Sequence, residues 1–189
     1  MCRVQRRLYA VLDRERSALV LVDYQARLLP ALDGGEAAIR QALFLADVAR
    51  ELAVPIVGTE QNPAGLGPND ERIRARCDPT LAKMHFDACA DGLGEVLRER
   101  GVETVVVAGC EAHVCLLQTS LGLLREGFRV HAVPDACASR RPADKALAMQ
   151  RLAQNGAELL SGEMVAFEWL RSCEHPAFRE VLRHVKAMP

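Results

Sequence analysis

Two stretches of this chain are apolar at consecutive positions without alternation: Ala18-Leu19-Val20-Leu21-Val22, and Val105-Val106-Val107-Ala108 opened by Thr104. A strand with one wet face alternates apolar and polar residues, so a strand without alternation is buried on both faces. Such strands belong to parallel sheets, whose crossover connections lay helices over each side. Residues 54–58 and 128–133 read the same way with interruptions, and 157–160 is a weaker run. Between the runs, apolar residues recur at helical spacing over 36–52, 92–100, 113–126 and 142–155. The last three stop at Gly101, Gly127 and Gly156, residues free to take the left-handed conformation that ends a helix, and Pro142 suits a first turn. Alternating strands and helices predict an α/β fold, a three-layer sandwich around a mostly parallel sheet.

At 189 residues the chain is read as one domain over 1–189, with an N-terminal arm at 1–16, a core at 17–170 and a C-terminal helix within 171–189. Its 24 basic and 25 acidic side chains leave a net charge of −1, which points away from nucleic acid and from membrane surfaces as partners. No apolar run approaches the ~20 residues a spanning helix needs. The basic start, Met1-Cys2-Arg3-Val4-Gln5-Arg6-Arg7, has no hydrophobic stretch behind it, and Asp13 and Glu15 come too early for a transit peptide. A surface arm and a cytoplasmic location are the expectation. Cysteines at 2, 77, 89, 110, 115, 137 and 173 form no metal-ligand spacing, and most read as buried reduced thiols.

Cys115 is the exception. It falls in the first turn of the helix expected at 113–126, just past the 104–108 strand, where unpaired N–H groups and the helix dipole favour a thiolate. Asp23 ends the 18–22 strand, so both residues belong to the carboxyl edge of the sheet, where α/β proteins bind ligands. Asp23 is a candidate base for the thiol, and Lys83, the one cation in Thr80-Leu81-Ala82-Lys83-Met84-His85-Phe86, is a candidate electrostatic partner. Taken singly, the aspartate also reads as a cap and the lysine as a solvated surface residue. His113 stands two residues from Cys115 and so does not share its helix face, which favours a structural or interface role. Residues 61–80 form the longest irregular piece, either functional or a crossover excursion. His85 and Phe86, near Lys83, are candidates to line a pocket; Phe167 and Trp169 read either as pocket lining or as core, with core favoured.

The segments Leu21-Val22-Asp23-Tyr24-Gln25, Thr59-Glu60-Gln61-Asn62-Pro63-Ala64-Gly65-Leu66-Gly67, the Lys83 segment and Gly109-Cys110-Glu111-Ala112-His113-Val114-Cys115-Leu116 together resemble the isochorismatase-like cysteine hydrolases. Val133-Pro134-Asp135-Ala136-Cys137-Ala138-Ser139-Arg140 and the stretch from Gly156 to Glu163 extend the resemblance over 17–169, and it is closest to the isochorismatase domain-containing branch. What it implies is a six-stranded, Rossmann-like sheet with a triad of Asp23 as base, Lys83 as electrostatic partner and Cys115 as nucleophile. It also implies a cis peptide at Cys110–Glu111 and an oxyanion hole from the N–H groups of Glu111 and Cys115. The implied reaction is hydrolysis of a small-molecule amide, ureido, ester or related bond through a thioester. Gln61, Phe86 and His113 are candidate pocket residues. The Gly58-Thr59-Glu60-Gln61 segment lacks the histidines of the metal-binding amidases, so no metal and no cofactor is expected, and Glu60 reads as a loop hydrogen-bonder. A homo-oligomer is the expected assembly, with 116–124 as the candidate interface. The competing readings are an inactive scaffold or binding protein that keeps the fold, and a redox-responsive thiol protein in which Cys110 resolves Cys115.

Overall fold

The computed structural model describes residues 11–188. Six strands form one sheet in the order β3-β2-β1-β4-β5-β6, and every neighbouring pair is parallel. The strands are β1 (Ser17–Val22), β2 (Ile56–Gln61), β3 (Thr80–Lys83), β4 (Thr104–Gly109), β5 (Arg129–Ala132) and β6 (Glu158–Leu159). Helices α1 (Gly35–Glu51), α7 (Gly162–Leu170) and α8 (Phe178–Lys186) cover one face, and α4 (Leu93–Glu99), α5 (Leu117–Arg125) and α6 (Pro142–Gln154) cover the other. The pleat sorts the side chains of the central strands between two cores. Leu19, Leu21, Val106 and Ala108 pack toward α1 and α7, while Ala18, Val20, Val22, Val105 and Val107 pack toward α4, α5 and α6. This is the three-layer α/β sandwich the uninterrupted strands called for.

Chain order reverses between β1 and β4, the two strands at the centre of the sheet. Gly109 makes their close approach possible, because a Cβ there would collide with the Val22 carbonyl opposite it in the register. Gly101, Gly127 and Gly156 take positive φ after α4, α5 and α6, as the sequence requires.

Several elements depart from the periodicity reading. β2 runs on through Thr59 and Glu60 to Gln61, three residues beyond the expected 54–58 run. β3 was not among the strands read from apolar runs. It is a four-residue edge strand in which only Lys83 is buried, so it carries no apolar signature. The expected loop at 61–80 contains two single-turn helices, α2 (Pro63–Leu66) and α3 (Glu71–Arg74). α7 was also missed: Met164, Val165, Ala166, Phe167, Trp169 and Leu170 crowd most of its circumference, leaving no polar face to mark the period. Helix 113–126 is two pieces, a π-helical turn at Ala112–Leu116 followed by α5. Most of the arm read at 1–16 lies outside the described residues. Its described end packs inward, with Leu12 in the core and its N–H donating to Glu168 Oε2.

Candidate active site

Parallel register lines up the site before any side chain is placed. Val22 pairs with Thr59 and Gln61 pairs with Lys83, so residues at the ends of β1, β2 and β3 face the same side, over the α5 core. Thr59 and Gln61 are two apart on one strand and therefore share that face. Asp23 follows β1 with φ 52°, a left-handed conformation that aspartate tolerates better than most residues. Cys115 reaches the same place from the π-helical turn after β4.

The resulting cluster is continuous and dry. Lys83 Nζ lies 2.8 Å from Asp23 Oδ2, and both side chains are fully excluded from solvent. The other carboxylate oxygen, Oδ1, accepts from Thr59 Oγ1 at 2.7 Å. Lys83 Nζ also donates to Gln61 Oε1 at 2.6 Å and to the His85 carbonyl at 3.3 Å. Cys115 Sγ lies 3.9 Å from Gln61 Oε1, with the residue 7% exposed. Gln25 clamps the Gln61 backbone from behind: its Oε1 accepts the Gln61 N–H and its Nε2 donates to the Gln61 carbonyl, both at 2.9 Å.

The helix-start argument favoured a thiolate at Cys115, and the structure reverses it. Burial, together with the negative charge of Asp23, pushes the thiol up to about 12, and Lys83 only partly opposes them. At neutral pH that value keeps the sulfur a thiol, a form that is a poor nucleophile unless a base takes its proton.

Beside the sulfur, the Cys110–Glu111 peptide is cis. The Glu111 carboxylate is turned aside to Arg140, accepting from its Nε at 3.0 Å and its N–H at 3.2 Å. Among the described residues, no acceptor takes the Glu111 N–H. His113 meets Ser139, its Nδ1 3.0 Å from Ser139 Oγ. Phe86 is half-exposed and meets α5 through its carbonyl, which accepts from Thr119 Oγ1. The His85 ring pairs with Asp91 instead of facing Lys83. Of the three candidate pocket residues, Gln61 alone bonds to Lys83 and Cys115. Glu60 points to the opposite face and accepts the Asn69 N–H at 2.9 Å. Trp169 is buried in the core, whereas Phe167 lines a separate surface hollow with Val11 and Met164. Leu116, Leu117 and Leu123 are also buried in the core, while Leu121 and Leu124 are half-buried, so the apolar surface of 116–124 is confined to those two side chains. Among the described residues, no three His, Cys, Asp or Glu side chains gather closely enough to hold a metal ion. Nor is any described helix long and apolar enough to cross a membrane.

Sequence reasoning missed Thr59 and Gln25. Thr59 was findable by the two-residue period once β2 is extended to Gln61; Gln25 acts through backbone contacts that no spacing encodes.

Residues 17–164 match the Isochorismatase domain model. Isochorismatase domain-containing protein 2A of Mus musculus is 34% identical over 172 residues, covering 91% of this chain and 84% of that one. Among solved structures, the MAR1 ribonuclease from Caenorhabditis elegans superposes with a TM-score of 0.89 at 32% identity, covering 95% of each chain. Two YcaC structures are each 25% identical with a TM-score of 0.83. The one from Pseudomonas aeruginosa, with hexane-2,5-diol and covalent acrylamide, covers 95% of this chain and 98% of that one. The one from Escherichia coli, an octameric hydrolase of unknown specificity, covers 96% of this chain and 98% of that one. With a family model spanning the sheet from its first strand to its last, and a relative sharing a third of its residues, the chain belongs to the isochorismatase family, a family of hydrolase-like fold.

Proposed function

We propose that this protein is a cysteine hydrolase that works without a metal on a carbonyl-type bond of a small molecule, an amide, ureido or ester linkage. The observation that carries this reading is the unbroken chain Thr59–Asp23–Lys83–Gln61–Cys115 at the strand-order reversal. A protonated thiol beside a buried carboxylate has its base in place. Asp23 accepts the S–H proton while Lys83 steadies the shifting charge, and the sulfur attacks the carbonyl carbon. The N–H groups of Glu111 and Cys115 receive the developing oxyanion, an interaction typically worth ~3–4 kcal/mol per donor. As the tetrahedral species collapses, Asp23 returns its proton to the departing amine or alcohol. Water, deprotonated by Asp23, then cleaves the thioester, releasing the acid and restoring the thiol.

Acrylamide, bound covalently in the Pseudomonas YcaC structure, is both an amide and a thiol-seeking electrophile, which supports a nucleophilic sulfur in this fold. The ribonuclease name of another neighbour raises RNA as a substrate. A net charge of −1 gives little basis for tracking a phosphate backbone. The octameric neighbour supports self-association, and Met84 and Phe86, both at least half-exposed beside the site, are apolar surface available to a second copy.

The test is a panel of small amides, ureas and esters, with a structured RNA alongside, assayed on the wild type and Cys115→Ala. Turnover of a panel compound that vanishes in Cys115→Ala, with an acyl adduct on the Cys115 peptide by mass spectrometry, is the expected result. Turnover that survives in Cys115→Ala removes the thiol mechanism, and RNA cleavage alone removes the small-molecule reading. No turnover and no adduct would favour the scaffold alternative.

A further inference from the structure

The side-chain amide of Gln61 is oriented without ambiguity. Its Nε2 donates to the Met84 carbonyl at 2.8 Å, and its Oε1 accepts from the Lys83 ammonium at 2.6 Å. The oxygen is therefore the atom presented to Cys115 Sγ, 3.9 Å away. An ammonium has three protons. In Lys83 they are matched by three acceptors, Asp23 Oδ2, Gln61 Oε1 and the His85 carbonyl. What Lys83 offers a sulfur anion is therefore shared with these acceptors, and its pull on the thiol does not overcome burial and the Asp23 charge; the carbonyl oxygen that faces the sulfur accepts from S–H but repels S⁻.

We propose that Gln61 is a positioning residue that holds the nucleophile in reserve as a thiol: its Oε1 accepts the Cys115 S–H and occupies the Lys83 proton that would otherwise stabilise a thiolate. The site is released when that amide swings away and the freed Lys83 N–H turns to the sulfur, while the S–H proton passes to Asp23. This rests on the Asp23-Lys83-Cys115 reading above and adds a control on it. The Cys115 thiol is raised first by burial and then by the Asp23 charge, with Lys83 opposing them, so the part assigned to Gln61 stands on the geometry. Around the sulfur, Asp23 comes from β1 and Lys83 from β3, and these are the charges that act on it. Glu111, in the preceding turn, is held by Arg140, and His113 by Ser139. His85 pairs with Asp91, and Arg125 on α5 pairs with Asp87. On α6, Asp144 is part-buried and Lys145 acts on Cys137.

The experiment is the rate of Cys115 alkylation by iodoacetamide, followed by peptide mapping between pH 6 and 9 in the wild type, Gln61→Leu, Gln61→Glu and Lys83→Met. With the thiol raised to about 12, this range lies on the rising limb, where the rate at each pH follows the thiolate fraction. Gln61→Glu keeps the size of the side chain, so a change in its rate reports charge and not access to the sulfur. Gln61→Leu should speed alkylation about tenfold, and Gln61→Glu, which puts a second carboxylate at the same position, should slow it. If both Gln61 variants react at the wild-type rate while Lys83→Met is slower, the reserve role is wrong and the triad stands. If Lys83→Met also reacts at the wild-type rate, the triad reading falls and this inference with it. Gln61→Met replaces Gln61→Leu should the latter fail to give a cooperative melt.

Discussion

At the scale of single residues, the site is dominated by one ion pair with no access to water. Lys83 and Asp23 are both fully buried, and each has lost its hydration. Removing one partner leaves an uncompensated charge, which costs about 3–5 kcal/mol, whereas removing both together is often close to neutral. Asp23→Asn and Lys83→Met should therefore each destabilise by that amount, and the double variant by much less than the sum. Urea unfolding of the four proteins measures the coupling; strictly additive losses would mean that the pair is not electrostatically linked. Asp23 and Cys115 were readable as candidates because they stand at the end of a strand and the start of a helix, where α/β chains place chemistry, whereas Lys83 stood out only as the one cation in its segment and was joined to them by the family resemblance, since β3 shows no apolar run. The protonation of Cys115 was not. The helix-start argument counts only the local dipole, while burial and the Asp23 charge come from residues 92 positions away in the chain and from packing on α5 and α6. His113 was legible in the negative sense: side chains two apart on a helix diverge, and its ring faces Ser139.

At the scale of elements, the decisive contact is between β1 and β4. Their pairing sets the distance between the Asp23 corner and the π-helical turn that carries Cys115. It closes fully only because Gly109 has no side chain to strike the Val22 carbonyl. Gly109→Ala should cost about 1–3 kcal/mol through overpacking and should lower Cys115-dependent turnover much more than stability alone explains. Comparing Tm with kcat in this variant checks it; an active, normally stable Gly109→Ala would show that the approach is not constrained. Elements were legible in proportion to how uniformly they are buried. β1 and β4, buried at every position, declare themselves. β3 lies at the sheet edge with three of its four residues partly or fully exposed, and its assignment depends on pairing with β2, which no local pattern states. α7 fails for the opposite reason, since a helix apolar on most sides has no stripe.

At the scale of the whole molecule, the two cores give stability a defined window in pH. On the acid side, His131 on β5 pairs with Val106 and is buried on the face of the sheet that α1 and α7 cover, and burial aided by Arg129 depresses its ring to about 4; the half-exposed Glu158 carboxylate at 3.7 Å does not offset this. The unfolded chain takes up this proton below its ordinary value of 6.5 while the folded chain resists it. Stability contributed by the neutral ring is thus complete above about 6.5 and is lost as pH falls toward 4, by roughly 3 kcal/mol in total. On the alkaline side the sign comes from thiols. Cys77, Cys115 and Cys137 are pushed up to about 12, and Cys89 and Cys110 are also raised, burial being the first cause in each. Unfolded thiols ionise above their ordinary value of 9.0 and folded ones do not, so stability present below that pH declines above it. Buried Cys110, Cys115 and Cys137 each contribute a slope of up to about 1.4 kcal/mol per pH unit in that range, and half-buried Cys77 and Cys89 contribute less because solvent screens them, so together they make the alkaline limb steeper than the acid one. Thermal melts under reducing conditions should show a plateau between about pH 6.5 and 9, a gentle fall below it and a sharp one above. His131→Gln should flatten the acid limb alone. Cys110→Ala combined with Cys137→Ala should lose stability at pH 7 by leaving cavities, yet decline less steeply above pH 9. An alkaline limb unchanged in that double variant would mean that the buried thiols do not set it, and that the limit lies in other groups of the two cores.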